Sequence, residues 1–201
     1  MSEPFDKKPL GRKIITLVIL VVVYFVIAIP FSTLDVIPGL ANIRPLEMLE
    51  PIYGIFFGLP GCIIMGPCNL IMDAVSNSLK LSSAAGFIAN ILGPMCYHVY
   101  WTYISRTDFD LRSPKNMLKF VLITIVSALL EMLIITPSVA HYYPNVNYIQ
   151  FAAIVLLNNI LFPVLLGIPV IILMQEELGF VPCGRKQCVP NGNVPNGDRC
   201  C

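Results

Sequence analysis

The residues most able to do chemistry in this sequence are acidic side chains in apolar surroundings. Glu47, Glu50, Asp73 and Glu131 each lie within or at the edge of a strongly hydrophobic stretch, and Arg44 precedes the first of them. An ionisable side chain is costly in lipid, so such residues normally face a bundle interior or a water-filled cavity, where they mark the path of a ligand or an ion. This pattern predicts a polar site inside a membrane protein.

A purely structural role fits the same residues and stays open at this point. Arg44, Glu47 and Glu50 follow one another at intervals of three, which places them on one helix face, where an ion pair could clamp the start of the helix. Asp73 could in the same way pair with Lys80 or with Arg44. Spacing alone does not separate ligand binding from clamping.

Asparagines in later apolar segments extend the candidate site. They either contact a ligand or form hydrogen bonds between helices, which are worth only about 1 kcal/mol in membranes. The predicted substrate-binding set is Arg44, Glu47, Glu50, Asn69, Asp73, Asn90, Glu131 and Asn158.

Catalytic motifs are missing from the sequence. It contains neither HExxH nor GxSxG, and its cysteines do not follow a standard zinc-ligand spacing. His98 and His141 fall on opposite faces of the predicted membrane domain and could not share a metal. We therefore expect no enzyme, no cofactor and no metal. Without a Walker A loop, energy for transport would come from a partner or an ion gradient.

The composition indicates an integral membrane protein. Hydrophobic residues make up 56% of the chain and charged residues 12%, against roughly 25% charged residues in soluble domains. The mean hydropathy is +0.76. The net charge of +1 is too small to suggest nucleic-acid binding.

The number of membrane spans depends on the segment Pro45 to Asn77. As one helix it would be roughly 50 Å long, against a hydrocarbon core of about 30 Å. Pro60-Gly61 favours a tight reversal, which gives two helices. The expected fold is all-α with six transmembrane helices: Ile14–Phe31, Pro45–Leu59, Gly61–Asn77, Ser82–Ile104, Met117–Thr136 and Tyr148–Met174.

Six spans agree with the positive-inside rule. The chain has 13 Lys and Arg residues, and all but Arg44 and Lys80 then lie on the side of both termini, which is the cytosol. A five-span chain would carry Arg106, Arg112 and Lys115 across the membrane against this bias. Near the cytosolic surface, Tyr100, Trp101 and Tyr103 are expected in the interfacial aromatic belt.

Three regions are predicted: an N-terminal cytosolic arm (1–13), a transmembrane domain (14–175) and a flexible cytosolic tail with cysteines (176–201). With the directions of the helices fixed, every strongly polar candidate lies in the outer half of the membrane domain. The inner halves are mainly apolar. We expect a cavity open to the outside above a closed floor, not a continuous channel.

Several motifs between Asn42 and Trp101 resemble one known family. They are Arg44-Pro45-x-Glu47, Gly54-xxx-Gly58-x-Pro60-Gly61, Gly66-xx-Asn69-Leu-Ile-x-Asp73, Gly86-Phe87-Ile88-x-Asn90 and the run Tyr97 to Trp101. This pattern is similar to the membrane-embedded substrate-binding (S) components of energy-coupling-factor transporters, and to related six-helix membrane modules.

The resemblance implies a subunit of the bacterial plasma membrane that captures a vitamin or a similar small metabolite from outside. Such a subunit works with a transmembrane coupling subunit and a pair of ATPases. The first helix, Ile14 to Phe31, lacks the paired small residues that S components use for docking. This departure keeps a second hypothesis open, a membrane sensor or assembly module that transports nothing.

Overall fold

The computed structural model describes residue 5 and residues 8–31, 35–37, 41–77, 79–105 and 109–183. Six helices form the protein: α1 (Leu10–Phe31), α2 (Leu49–Val75), α3 (Ser83–Val99), α4 (Pro114–Tyr142), α5 (Tyr148–Phe162) and α6 (Ile168–Glu176). A 3-10 turn, Pro45–Met48, leads into α2. π-helical turns extend α3 over Tyr100–Ile104 and join α5 to α6 over Pro163–Gly167. A short antiparallel pair, β1 (Asp35–Ile37) and β2 (Ala41–Asn42), precedes the 3-10 turn.

The regular elements of the described residues are helical apart from that pair, and several of the helices have the length and composition of membrane spans. Four helical stretches in the described part of the chain are long and apolar enough to cross a bilayer: Leu10–Phe31, Pro45–Val75, Pro114–Tyr142 and Tyr148–Glu176. Only 17% of the apolar window of α1 is buried, so most of its hydrophobic surface is available to lipid. The segment of α3, which the sequence predicts as a span, is not among the four.

Helix α2 does not run straight from one end to the other. Gly58 has φ 61° and ψ −148°, which interrupts the helical backbone. The two ends of α2 meet again, because the guanidinium of Arg44 donates a hydrogen bond to Oδ1 of Asn69 at 3.2 Å. A straight helix would hold these residues nearly 40 Å apart, at about 1.5 Å per residue. Segment 45–75 is therefore a hairpin with arms 49–57 and 59–75.

The sequence predicts this reversal, but two residues too late. Prolines fix φ without breaking a helix at its first turn, and Pro60 begins the second arm. The residue that changes direction is Gly58, since a positive φ is easily reached only by glycine.

Helix α3 packs into both arms of the hairpin through positions without side chains. A Cβ on Gly54 would collide with the carbonyl of Pro94, and a Cβ on Gly66 would lie 2.9 Å from the carbonyl of Phe87. Small residues let helix backbones approach closely in this way.

Aromatic side chains fill the end of the bundle at which the hairpin turns. Phe57 packs edge-on against Phe5 and Phe180, with ring centroids 5.7 and 5.9 Å away. Trp101 is 4% exposed and packs against Phe109 at 4.7 Å. The ring of Trp101 therefore lies in the core and not on a lipid-facing surface, while its place in the interfacial belt stays a prediction.

Two further segments differ from their predicted bounds. Helix α4 continues through Pro137 to Tyr142, so His141 lies on a helix and not in a loop. In the predicted tail, the backbone N–H of Cys183 donates to the carbonyl of Ile55 at 2.8 Å, which ties residues up to 183 to the hairpin. Residues 184–201 of the predicted tail lie outside the described part of the chain.

Candidate functional site

A cavity of about 220 Å³ lies at the end of the bundle opposite the aromatic cluster. Five helices meet there: α1, α2 and α4 reach it with their C-terminal halves, α3 with its first turn and α5 along most of its length. Loop residues before the hairpin complete its wall. The cavity thus forms where the reversals of the chain bring several helices together at one end of the bundle.

Six of the eight predicted binding residues line this cavity, and two are buried without lining it. The lining residues are Arg44, Glu47, Asn69, Asp73, Glu131 and Asn158. Glu50 is fully buried beside Glu47 and Glu131. Asn90 is 1% exposed and donates to the carbonyl of Gly86, one turn earlier in its own helix, at 2.9 Å. Binding of a ligand by these residues stays a prediction.

Arg44 connects three parts of the cavity wall. Its guanidinium lies 3.6 Å from Oε1 of Glu47 and donates to Oδ1 of Asn69, while its backbone N–H donates to Oδ1 of Asn158 at 3.3 Å. Partial burial lowers the pKa of Arg44, but the carboxylates around it, Glu47 first, raise it by more, so the pKa lies above its usual value. Arg44 is therefore a clamp between helices and a fixed positive charge on the cavity wall.

Three glutamates form a cluster at the inner end of the cavity, which we call the acid triad: Glu47, Glu50 and Glu131. Their exposed fractions are 2%, 0% and 1%, and one carboxylate oxygen from each lies within 4.8 Å of the others. Gly93 on α3 makes room for them, since a Cβ there would collide with Oε1 of Glu131 and lie 2.9 Å from Oε1 of Glu50. The triad thus depends on a glycine in a third helix.

The acid triad has three carboxyl groups, and Arg44 is the cation that the structure places beside them. Both carboxyl oxygens of Glu50 lack a hydrogen-bond partner among the described residues, although a carboxylate oxygen of Glu47 and one of Glu131 lie within 4.8 Å of one of them. The hydroxyl of Ser127 donates a hydrogen bond to Oε1 of Glu131 at 3.4 Å. A buried charge without a partner is strongly destabilising, so protons or a bound cation must balance what Arg44 does not. The oxygen spacing would also allow a metal ion, a possibility that the sequence analysis missed.

Several buried polar atoms around the cavity lack hydrogen bonds within the described part of the chain. They include the hydroxyl of Tyr24, Oδ1 of Asn159 and Oε2 of Glu47, all from residues on the cavity wall. Tyr24 is 0% exposed and Asn159 is 4% exposed. Buried polar groups are nearly always paired in folded proteins, and unpaired ones call for an explanation. Three such atoms thus belong to residues of one cavity wall.

The outer part of the cavity combines charged and apolar walls. Asp73 and Lys80 line it where α2 ends and α3 begins, and the Lys80 ammonium lies 4.7 Å from the centre of the Tyr143 ring. Opposite the charged groups is an apolar wall, formed by Ile135, Val139, Phe151, Ile154 and Val155. A ligand held here would meet a polar floor and a hydrophobic side.

Sequence reasoning did not include Tyr24 and Asn159 in the predicted site. Tyr24 lies in the middle of an apolar helix, where a tyrosine gives no signal of function. Asn159 is adjacent to Asn158 in an apolar segment, and either could contact a ligand or bond between helices, but the predicted set includes only Asn158. Both side chains line the same cavity.

Comparison with known proteins does not add a family to this geometry. Neither the family models, nor the curated proteins, nor the solved structures include a match to the chain.

Proposed function

We propose that this protein is a membrane subunit that captures a small polar metabolite, such as a vitamin, for uptake into a bacterial cell. In this proposal it works with a transmembrane coupling subunit and a pair of ATPases. The observation that carries the proposal is the cavity at one end of the bundle, whose wall holds buried polar atoms without partners. The resemblance of segment 42–101 to S components agrees with it.

The proposed arrangement in the membrane has six spans, with both termini in the cytosol and the cavity open to the outside. The hairpin of segment 45–75 supplies the reversal that this count requires, because it brings both of its ends to the cavity level. The aromatic cluster at the other end supports a closed floor below the ligand. A metabolite would thus enter from outside and stop above this floor until the coupling subunit acts.

Native mass spectrometry of gently purified protein tests ligand capture. We expect a small molecule to be retained by the wild type and lost, or reduced several-fold, in Glu47→Gln and Asp73→Asn. Glu177→Gln is the matched control, since Glu177 is exposed beyond the end of α6. A retained molecule that is unaffected by both cavity substitutions would overturn the proposed site.

Co-purification separates uptake from the alternative of a sensor or assembly module. A tagged copy expressed in its native host is expected to bring down a transmembrane coupling subunit and ATPases. Recovery of the protein with a retained ligand but with a signalling protein in place of ATPases would favour the sensor.

A further inference from the structure

We propose that the ligand of this cavity is an organic cation, with a protonated amine or amidine group bound by the acid triad. This inference rests on the proposed function, because it needs the cavity to be a binding site. It goes further in naming the charge of the ligand and the end by which it is held.

The first argument is the charge of the cavity wall. Glu47, Asp73 and Glu131 line the cavity, and Glu50 is buried beside two of them, whereas Arg44 and Lys80 are the positive groups of the described lining residues. Lys80 lies at the outer rim beside Tyr143, away from the triad. At the inner end, three carboxyls therefore face one guanidinium. A ligand cation placed there would neutralise charge that protons must otherwise neutralise.

The second argument comes from atoms outside the triad. The unpaired Oδ1 of Asn159 is a hydrogen-bond acceptor, and the unpaired hydroxyl of Tyr24 can also accept. Both side chains are buried and line the cavity. Oε2 of Glu47 is a third unpaired acceptor, and N–H donors are the groups that would pair with all three atoms. Amidinium and ammonium groups carry several donors and no acceptor.

The third argument favours an organic cation over a metal ion. A metal ion could contact the triad, but it would be small in a cavity of about 220 Å³. It would also leave the apolar wall around Phe151 and Ile154 without contact. A cation with a hydrophobic body would place its charge against the triad and its body against this wall, in the usual pattern of small-molecule sites.

A set of probes with the same shape and different charge tests the proposal. Benzamidine is a cation, benzamide is neutral and benzoate is an anion, and the three share one ring and one planar substituent. Thermal unfolding of the full chain in mild detergent, followed through the fluorescence of its single tryptophan, reports binding as a rise in the unfolding temperature. Benzylamine is added as a second cation, with benzyl alcohol as its neutral counterpart. Magnesium, calcium and manganese chlorides are tested beside these compounds.

We expect each cation to raise the unfolding temperature and its neutral or anionic counterpart to raise it much less. In Glu131→Gln, affinity for benzamidine should fall about tenfold or more, because one member of a buried charge pair is lost, and the preference over benzamide should shrink. Gly93→Ala keeps every charge but displaces the carboxylates of Glu131 and Glu50, so it should reduce the same preference. Glu177→Gln should leave it unchanged.

Three outcomes would overturn the inference: stabilisation by benzamide or benzoate equal to that by benzamidine, stabilisation by the metal chlorides alone, or no stabilisation by either cation. In each case the proposed function is judged separately by the retained small molecule. Retention of a neutral or anionic metabolite would refute the cationic ligand and leave metabolite capture standing. Absence of any retained or stabilising small molecule would refute both.

Discussion

At the scale of single residues, Arg44 belongs to both hypotheses that the sequence left open. Its ion pair with Glu47 is the predicted helix clamp, yet the same side chain lines the cavity. A guanidinium with planar, directional donors can join two helix ends and still offer a face to a ligand. Arg44 can therefore join the helix ends and bind a ligand at the same time.

Substitution of Arg44 tests its double role. Arg44→Gln removes the positive charge next to the acid triad and the hydrogen bond to Asn69, so we expect the free energy of unfolding to fall by about 1–2 kcal/mol. Arg44→Lys keeps the charge and should recover part of this loss.

The control for this experiment is Arg112→Gln. Arg112 pairs with Glu176 on the surface, where its side chain is 66% exposed, and exposed ion pairs contribute little. Equal losses of stability in the Arg44 and Arg112 variants, measured by denaturant or thermal unfolding in detergent, would contradict the role of Arg44 as a clamp.

The residue scale also shows how far the sequence predicts the site. Isolated acids in apolar stretches led to residues that the structure places around one cavity, while their role in binding stays a prediction. Spacing along one helix could relate Glu47 to Glu50, but it could not reveal that Glu131 joins them from α4. That contact depends on the close approach of α3, for which Gly93 is required.

At the scale of elements, the hairpin of segment 45–75 positions the site. Prolines did not identify its break uniquely, because Pro30, Pro67, Pro94 and Pro137 all lie inside helices that continue. Membrane proteins tolerate proline within helices, since neighbouring groups satisfy the freed backbone atoms. The decisive feature is the backbone conformation of Gly58, which a sequence pattern does not contain.

We predict that Gly58→Ala destabilises the protein, because alanine would have to adopt a positive φ. Strain of this kind costs about 1–3 kcal/mol, and the added Cβ would lie 2.9 Å from Sγ of Cys183. Gly11→Ala is the matched control. It lies in α1 with no atom within 4 Å of the added Cβ, and alanine there should be neutral or slightly stabilising. An unfolding temperature unchanged by Gly58→Ala would show that the turn is not strained.

At the scale of the whole molecule, the helices and turns place a polar cavity at one end and an aromatic cluster at the other. The hairpin explains why one helical stretch, Pro45–Val75, corresponds to two predicted spans. Composition and hydrophobic stretches were sufficient to predict a helical protein with helices long and apolar enough to cross a membrane. They could not supply the shape of the cavity, since its walls come from side chains that are distant in sequence.

The proposed orientation predicts the result of reporter fusions. Fusions after Asp110 and at the C-terminus should behave as cytosolic, whereas a fusion after Asn145, between α4 and α5, should behave as external. The reason is the concentration of basic residues on one side of a six-span chain. An external reporter after Asp110 would favour five spans and contradict the proposed direction of the cavity.

The most direct test of the account is to fill the cavity without changing its charges. Ile154→Trp places a large side chain on the apolar wall, while Leu157→Trp on the same helix places one on a surface that is 60% exposed. Native mass spectrometry should show a retained small molecule in the wild type and in Leu157→Trp, and its loss in Ile154→Trp at a similar unfolding temperature. Retention of the same molecule by a folded Ile154→Trp protein would contradict the central claim that this cavity holds the ligand.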